Sequence, residues 1–495
     1  MERGRSLVLI TVDCLRADHC GFLGYDRPTT PFLDSLATQS WSSNAIVAGA
    51  PTYYSFPAIL ASRFPLALGR DVIGLAPGES SLATVLRESR YATGAFSAGN
   101  PYISSRLGYD QGFDVFRDFL DFETQDFETQ STEDNISPEN PPLDSARGKV
   151  NRSIKSFAGA LGLSRLYNEL YFQYCMKISP AAESVDALRK YPDAAILVEE
   201  ALSWLASVGQ RPFFLWLHLM DPHSPYYPPN EAFHELTGRD IEPGRARYVN
   251  EYWSRPDLTP SGLLGKRNEV VQLYDAGIRS VDRQIARLVD GLRQTHLWDD
   301  CVLAVTADHG EEFLEHGGRY HAPVRLSEEI VRVPLLIRVP GDRGLKVSTS
   351  PMSHLHLAPT LLEILGVQSP SAFRGRSLWT NLQRGMAWDD PAIIECAYGC
   401  TNPFRAESRS APRLLGVREA RFKLVMRIEP GMIEEVYDLE TDPAETHPFV
   451  DGPGPEGRKR LLLAAFEHIE RTVSTRDAMM RVRARLRDLR CEILG

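Results

Sequence analysis

Two apolar runs, far apart in the chain, each stop abruptly at an acid. Ser6-Leu7-Val8-Leu9-Ile10-Thr11-Val12 runs into Asp13, and Ala304-Val305-Thr306-Ala307 runs into Asp308-His309-Gly310. Continuous apolar runs of this length suit strands covered on both faces, as in a mostly parallel sheet between helices. In open α/β sheets, chemistry collects just beyond the carboxyl ends of the strands. Two strands that each deliver a carboxylate there, one with an imidazole beside it, imply one site assembled across the sheet. Hard oxygen ligands next to a borderline nitrogen suit a divalent cation such as Mn2+, Zn2+ or Mg2+.

The remaining composition narrows the class. A chain of 495 residues can bury a large core and hold one large domain plus a smaller one. Its 43% apolar and 24% charged residues are ordinary for a globular enzyme. A net charge of −10 supplies no basic footprint for nucleic acid. No apolar run reaches membrane-spanning length. The first strand starts by residue 6, which leaves no room for a signal peptide, and the seven cysteines lack CxxC or other metal-type spacing. A reduced, cytoplasmic compartment is the expectation.

Along the chain, the pattern predicts strands at 6–13, 90–97, 213–220, 301–306 and 333–339. Helices are expected at 30–37, from Ser55 to Ser62, at 194–207 and at 270–292. Phe213 to Met220 is a further buried run that exits into Asp221-Pro222-His223. Residues 117–190 break this texture. Asp121-Phe122-Glu123-Thr124-Gln125 is repeated at once as Asp126-Phe127-Glu128-Thr129-Gln130, followed by a Pro/Asn/Glu-rich stretch, which reads as an acidic insertion or lid. After about residue 380, short strands at 421–426 and 435–439 and a basic helix near 456–490 replace the α/β pattern. The expectation is a catalytic α/β domain over 1–380 and a small α+β subdomain over 381–495. Arg481, Arg483, Arg485, Arg487 and Arg490 read first as a solvated basic face, with contact to a second copy in a homo-oligomer as the alternative.

Several motifs, in order from residue 6 to about 450, resemble sulfatase-type enzymes of the alkaline phosphatase superfamily. They are Asp13 with Arg16-Ala17-Asp18, Thr30-Pro31-Phe32-Leu33-Asp34, Asp308-His309-Gly310 with Glu315-His316-Gly317, Arg332-Val333-Pro334-Leu335, Ala358-Pro359-Thr360-Leu361-Leu362, and Glu435 through Pro443. The resemblance implies a central, mostly parallel sheet flanked by helices and a nucleophile at the N-terminus of the helix after the second motif. In true sulfatases that nucleophile is a cysteine converted to formylglycine inside Cys-x-Pro-x-Arg. Ungapped alignment places Thr52 at the cysteine position and Phe56 at the arginine position. Threonine cannot become formylglycine, but its hydroxyl is activated by a divalent cation and by a helix N-terminus. Ser55 is the rival nucleophile; the bland reading of both hydroxyls is helix capping.

The resemblance also implies a metal shell of Asp13, Asp308, His309 and Thr52. Cys14 stands where relatives carry a second aspartate, as a thiolate ligand or as a small buried residue. The implied cofactor is one divalent ion, Mn2+ or Zn2+ first and Ca2+ or Mg2+ as alternatives. His223 matches the histidine that meets the substrate anion or its leaving oxygen, and His321 stands where relatives place an anion-clamping lysine. Asn100 replaces a histidine, and Ala98 a lysine, of another family motif. His316 reads as an orienter of the ligands, and His354 and His356 as structural, although His218 or Asp221 with one of them would make a second zinc site. The implied activity is hydrolysis of a small phosphate mono- or diester through Thr52. Sulfate-ester hydrolysis without formylglycine, phosphoryl transfer to an acceptor alcohol, and a catalytically silent anion-binding protein are the alternatives.

Overall fold

The computed structural model describes residues 4–120, 154–179, 182–209, 211–342, 346–347, 350–428, 433–448 and 454–472. The tandem repeat at 121–130 and the arginines from Arg481 to Arg490 lie outside them. The first eleven strands are β1 (Ser6–Val12), β2 (Trp41–Ile46), β3 (Ala92–Ser97), β4 (Val115–Arg117), β5 (Phe213–Leu219), β6 (Cys301–Ala307), β7 (Glu312–Phe313), β8 (Arg319–Tyr320), β9 (Arg332–Arg338), β10 (Lys346–Val347) and β11 (Met352–Ser353). Nine of them form one sheet in the order β10-β2-β9-β6-β1-β5-β3-β4, with β11 also paired to β2. β7 and β8 make a separate hairpin.

The apolar runs explain the centre of this sheet. Every residue of β1, β5 and β6 is buried, as strands covered on both faces require. β1 lies between β5 and β6 and is parallel to both. The Ala194–Val208 helix packs against β3, β5 and the long Pro260–Gln294 helix. It starts where the Asp193 carboxylate accepts from the amides of Ala195 and Ile196.

Three elements depart from the sequence expectation. β9 runs antiparallel to both β6 and β2, because the chain returns from β6 without a crossover helix of the length a parallel return needs. The helix expected from Ser55 to Ser62 is Thr52–Ala61, so it begins three residues before Ser55, directly after Pro51. The long helix begins ten residues early, at Pro260, where the fixed φ of proline suits the first helical position.

Beyond the large sheet, β12 (Ala392–Ala397), β13 (Arg413–Arg418), β14 (Phe422–Arg427) and β15 (Ile433–Asp438) form an antiparallel meander. Its alternation has two apolar destinations. Ile394, Cys396 and Leu414 join the main core, whereas Ile393, Leu415 and Leu424 pack with Leu461, Phe466 and Ile469 of the Gly454–Thr472 helix. A buried charge network joins the meander to the large sheet: Lys423 Nζ lies 3.3 Å from Glu328 Oε1 and 2.8 Å from Glu445 Oε1. Burial alone would raise the Glu328 carboxyl, but Lys423, Arg418 and Arg332 hold it down to about 2. Among the described residues no helix is long and apolar enough to cross a membrane, and Cys14, Cys20, Cys175, Cys301, Cys396 and Cys400 are free thiols.

Candidate active site

Strand register builds the site. Val12 of β1 is opposite Ala307 of β6, so the next residues, Asp13 and Asp308, leave the same edge of the sheet side by side. Both carboxylates are fully buried. The Cys14 amide donates to Asp308 Oδ1 (3.3 Å), and the His309 amide donates to the same oxygen (2.9 Å). The glycine of Asp-His-Gly is a steric requirement. The Gly310 amide donates to Ile330 O at 2.8 Å, and a Cβ at this position would lie 1.9 Å from Glu329 O.

Thr52 is the first residue of its helix and is buried. Its Oγ1 lies 3.2 Å from His309 Nε2. The other ring nitrogen, Nδ1, is 2.8 Å from Gly310 O, an acceptor only, so Nδ1 carries a proton and this bond holds the ring with Nε2 toward Thr52. Ser55, one turn along, is fully buried, and its hydroxyl has no hydrogen-bond partner. Thr52, not Ser55, is therefore the hydroxyl that faces His309.

Cys14, Asn100, His223 and His321 close around the carboxylates. Asn100 Nδ2 donates to Asp13 Oδ2 (3.0 Å) and its Oδ1 accepts from the Tyr102 amide, which leaves one amide hydrogen uncommitted. The Cys14 thiol donates to Asp13 Oδ1 (3.0 Å). Burial, with Glu311, Asp13 and Asp308 adding to it, pushes this thiol well above its usual range. His321 Nδ1 lies 3.2 Å from Glu311 Oε1, and its ring centroid is 4.5 Å from that of His309 and 5.2 Å from that of His223. Burial would lower His321, but Glu311, Asp13 and Asp308 outweigh it and raise the ring above its ordinary value. His223 is shifted the opposite way, lowered by burial and by His321 against the pull of Asp13. Beside it lies a small, open pocket lined by Lys190, Tyr191, Asp221 and Tyr227.

The donor set fits a divalent cation. Ligand atoms of Asp13, His218 and Asp308 lie within 4.8 Å of one another, as do those of Asp13, Cys14 and His223 and those of Cys14, His309 and His321. Asp308 Oδ2 and His218 Nε2 are buried with no hydrogen-bond partner, an arrangement that is costly unless another group satisfies them. The two carboxyls also split. Burial and Asp13 raise Asp308, while His223, His218 and His309 overcome burial and hold Asp13 well below the usual carboxylate range.

Other residues go elsewhere. The second zinc site anticipated from His218 or Asp221 with His354 or His356 is not formed among the described residues. His218 turns to Asp13 (3.4 Å), His354 Nε2 meets the Thr306 hydroxyl (3.0 Å), and His356 Nδ1 accepts from the Arg376 amide (3.1 Å). Burial lowers His354 to about 3. Asp221 instead accepts from the Ala194 amide (3.1 Å), and burial together with Asp193 pushes it up to about 7. His316 pairs with Glu329 (3.3 Å), close to Glu445, and does not touch the ligand cluster. Two participants were not singled out for this cluster from sequence: Glu311, hidden in an acidic loop, and His218, inside an otherwise apolar strand.

Comparison with known proteins places the family and the fold. The Sulfatase family model matches residues 5–367, and the N-sulphoglucosamine sulphohydrolase C-terminal model matches residues 317–469. A choline-sulfatase of Rhizobium meliloti (strain 1021) is 26% identical over 308 residues, 57% of this chain and 55% of that protein. The chain thus spans about half the length of this curated relative. The structure of BT4656 in complex with its substrate D-glucosamine-2-N,6-O-disulfate superposes with a TM-score of 0.67 at 18% identity, over 95% of this chain and 98% of that one. The phosphonate monoester hydrolase SpPMH from Silicibacter pomeroyi superposes at 0.63 and 20% identity, over 95% and 96%. With the family model covering most of the chain and the same fold in sulfatases and in a phosphonate hydrolase, the chain belongs to the sulfatase family.

Proposed function

We propose that this protein hydrolyses phosphate esters, with Thr52 as the nucleophile and with Asp13, Asp308 and His309 holding one divalent ion. The observation that carries the reading is the Thr52 hydroxyl, 3.2 Å from His309 Nε2 at a helix N-terminus beside two buried carboxylates. When bound, the ion supplies positive charge to the ester oxygens and makes the neighbouring hydroxyl more acidic. The chain's own residues do the rest. Thr52 gives up its hydroxyl proton to solvent, and Oγ1 forms a bond to phosphorus as the bond to the alcohol oxygen breaks. The free amides of the helix start favour the developing anion, and His321, raised by Glu311, places a positive charge by the non-bridging oxygens. His223, lowered in this state by burial, gains its second proton when the substrate's negative charge arrives, and passes it to the departing alcohol oxygen. Water, giving a proton to the now neutral His223, then attacks phosphorus and the bond to Thr52 Oγ1 breaks, with a proton from solvent restoring the hydroxyl; an alcohol in place of water would complete a transfer.

Phosphorus comes first because the nucleophile position holds threonine instead of the cysteine precursor of formylglycine. Sulfate esters are the second reading, favoured by the family and by the choline-sulfatase relative. The test is initial rates on matched aryl phosphate monoester, phosphodiester and sulfate substrates, with Mn2+- or Zn2+-loaded protein and with Thr52→Ala. Phosphoester turnover that falls by roughly 10^4-fold or more in the variant supports the proposal. Dominant sulfate turnover reverses the substrate order. Turnover that survives Thr52→Ala removes Thr52 from its role, and absence of both turnover and bound ion favours a silent anion-binding protein.

A further inference from the structure

We propose that His218 is a ligand of the same ion and supplies the donor that Cys14 does not. The inference rests on the metal reading above. His218 belongs to β5, opposite Thr11 of β1, so its ring lies in the row beneath Asp13, fully buried.

The hydrogen bonds around Thr11 let His218 Nε2 turn to the site. Thr11 Oγ1 accepts from Trp216 Nε1 at 3.0 Å, has Leu217 O within reach as an acceptor at 3.3 Å, and lies 3.0 Å from His218 Nδ1, so the hydroxyl can take a hydrogen from Nδ1 while giving its own to Leu217 O. His218 Nε2 and Asp308 Oδ2 are both buried without a hydrogen-bond partner, and His218 Nε2 lies 3.4 Å from Asp13 Oδ2. Ligand atoms of Asp13, His218 and Asp308 lie within 4.8 Å of one another, so a cation placed among them would meet all three and satisfy the two unpartnered atoms.

Two departures from the sulfatase motif fit this arrangement. Cys14, at the position of the second aspartate, directs a thiol hydrogen at Asp13 Oδ1 (3.0 Å). Phe56, at the position of the motif arginine, packs edge-on against the His218 ring, with centroids 5.1 Å apart and planes at 89°. An arginine there would set a cation against that ring; the phenyl group holds the ring in place without charge. The resulting donor set is Asp13, Asp308, His218 and His309. Two imidazoles beside two carboxylates favour Zn2+ or another nitrogen-binding transition ion over Ca2+ or Mg2+, which prefer oxygen.

The test uses the full-length chain loaded with Zn2+ or Co2+. Metal content after dialysis, Zn2+ affinity by competition, and the visible Co2+ spectrum are compared for wild type, His218→Ala and Asp308→Ala. The proposal expects one ion per wild-type chain, a loss of affinity beyond about 100-fold in His218→Ala, since removing a mere partner of a ligand costs about 10- to 100-fold, and an altered Co2+ spectrum. A second readout needs no variant: in 15N-histidine-labelled wild type, Zn2+ shifts the Nε2 resonances of both His218 and His309. Wild-type affinity and spectrum in His218→Ala, or an Nε2 of His218 unmoved by Zn2+, overturns the inference and makes the ring a protonated partner of Asp13. A wild-type chain that binds no ion overturns the metal reading itself.

Discussion

At the scale of single residues, the site separates two histidines by their surroundings. His321 is raised by Glu311 and His223 is lowered by burial, so one suits charge stabilisation and the other proton delivery. His223→Gln is expected to lower kcat roughly 10^2- to 10^4-fold for esters of poorly acidic alcohols, and much less for nitrophenyl esters, whose leaving group needs no proton. Equal losses on both substrates would contradict proton delivery by His223. Asp13 and Asp308 were legible in the sequence because an acid at the end of an all-apolar strand has few structural uses. His218 was read only as a possible member of a second zinc site, because a lone histidine inside a buried strand has the same pattern as a core residue and does not reveal which strand lies beside it. Only the pairing of Thr11 with His218 places it under Asp13.

At the scale of elements, the connection after β6 depends on close backbone approach. Gly310→Ala would put a methyl group 1.9 Å from Glu329 O, and backbone cannot swing aside as a long side chain can. The expected cost is about 3 kcal/mol, read as a lower urea midpoint for the variant. The meander offers a second prediction. Lys423 is fully buried between Glu328 and Glu445, so Lys423→Met leaves the buried Glu445 without its cation and Glu328 with Arg418 and Arg332 alone. A destabilisation of about 3 to 5 kcal/mol is expected, and an unchanged urea midpoint would contradict it. β1, β5, β6 and β9 were readable from their apolar runs, whereas β2, with the sequence Trp-Ser-Ser-Asn-Ala-Ile, was not anticipated. The antiparallel direction of β9 was not readable either, since a fully buried strand has the same composition in either direction.

At the scale of the whole molecule, one buried carboxylate ties three distant parts of the chain together. Glu395 of β12 accepts from the Leu66 amide (2.9 Å), pairs with His468 of the last described helix (2.8 Å), and lies 3.6 Å from Arg413 of β13. Burial would raise it, but Arg413 and His468 hold it down to about 2, from an ordinary value of 4.5. A depressed carboxyl stabilises the fold above its unfolded value and loses that contribution as pH falls. Stability should therefore decline between about pH 4.5 and pH 2, and Glu395→Gln should flatten that part of the profile of urea midpoint against pH. A wild-type profile flat across this window would contradict the assignment. These ties join segments with no shared motif, which is why the sequence indicated a small C-terminal sheet but not how it is held.

The central claim is that Thr52 carries the transferred group. Turnover of an aryl phosphate quenched in acid during the first cycles, followed by peptide mass spectrometry, tests it most directly. The account predicts a phosphoryl group on Thr52 that is absent from Thr52→Ala. A phosphoryl group found on Ser55, or steady turnover by Thr52→Ala with no modified peptide, would contradict it.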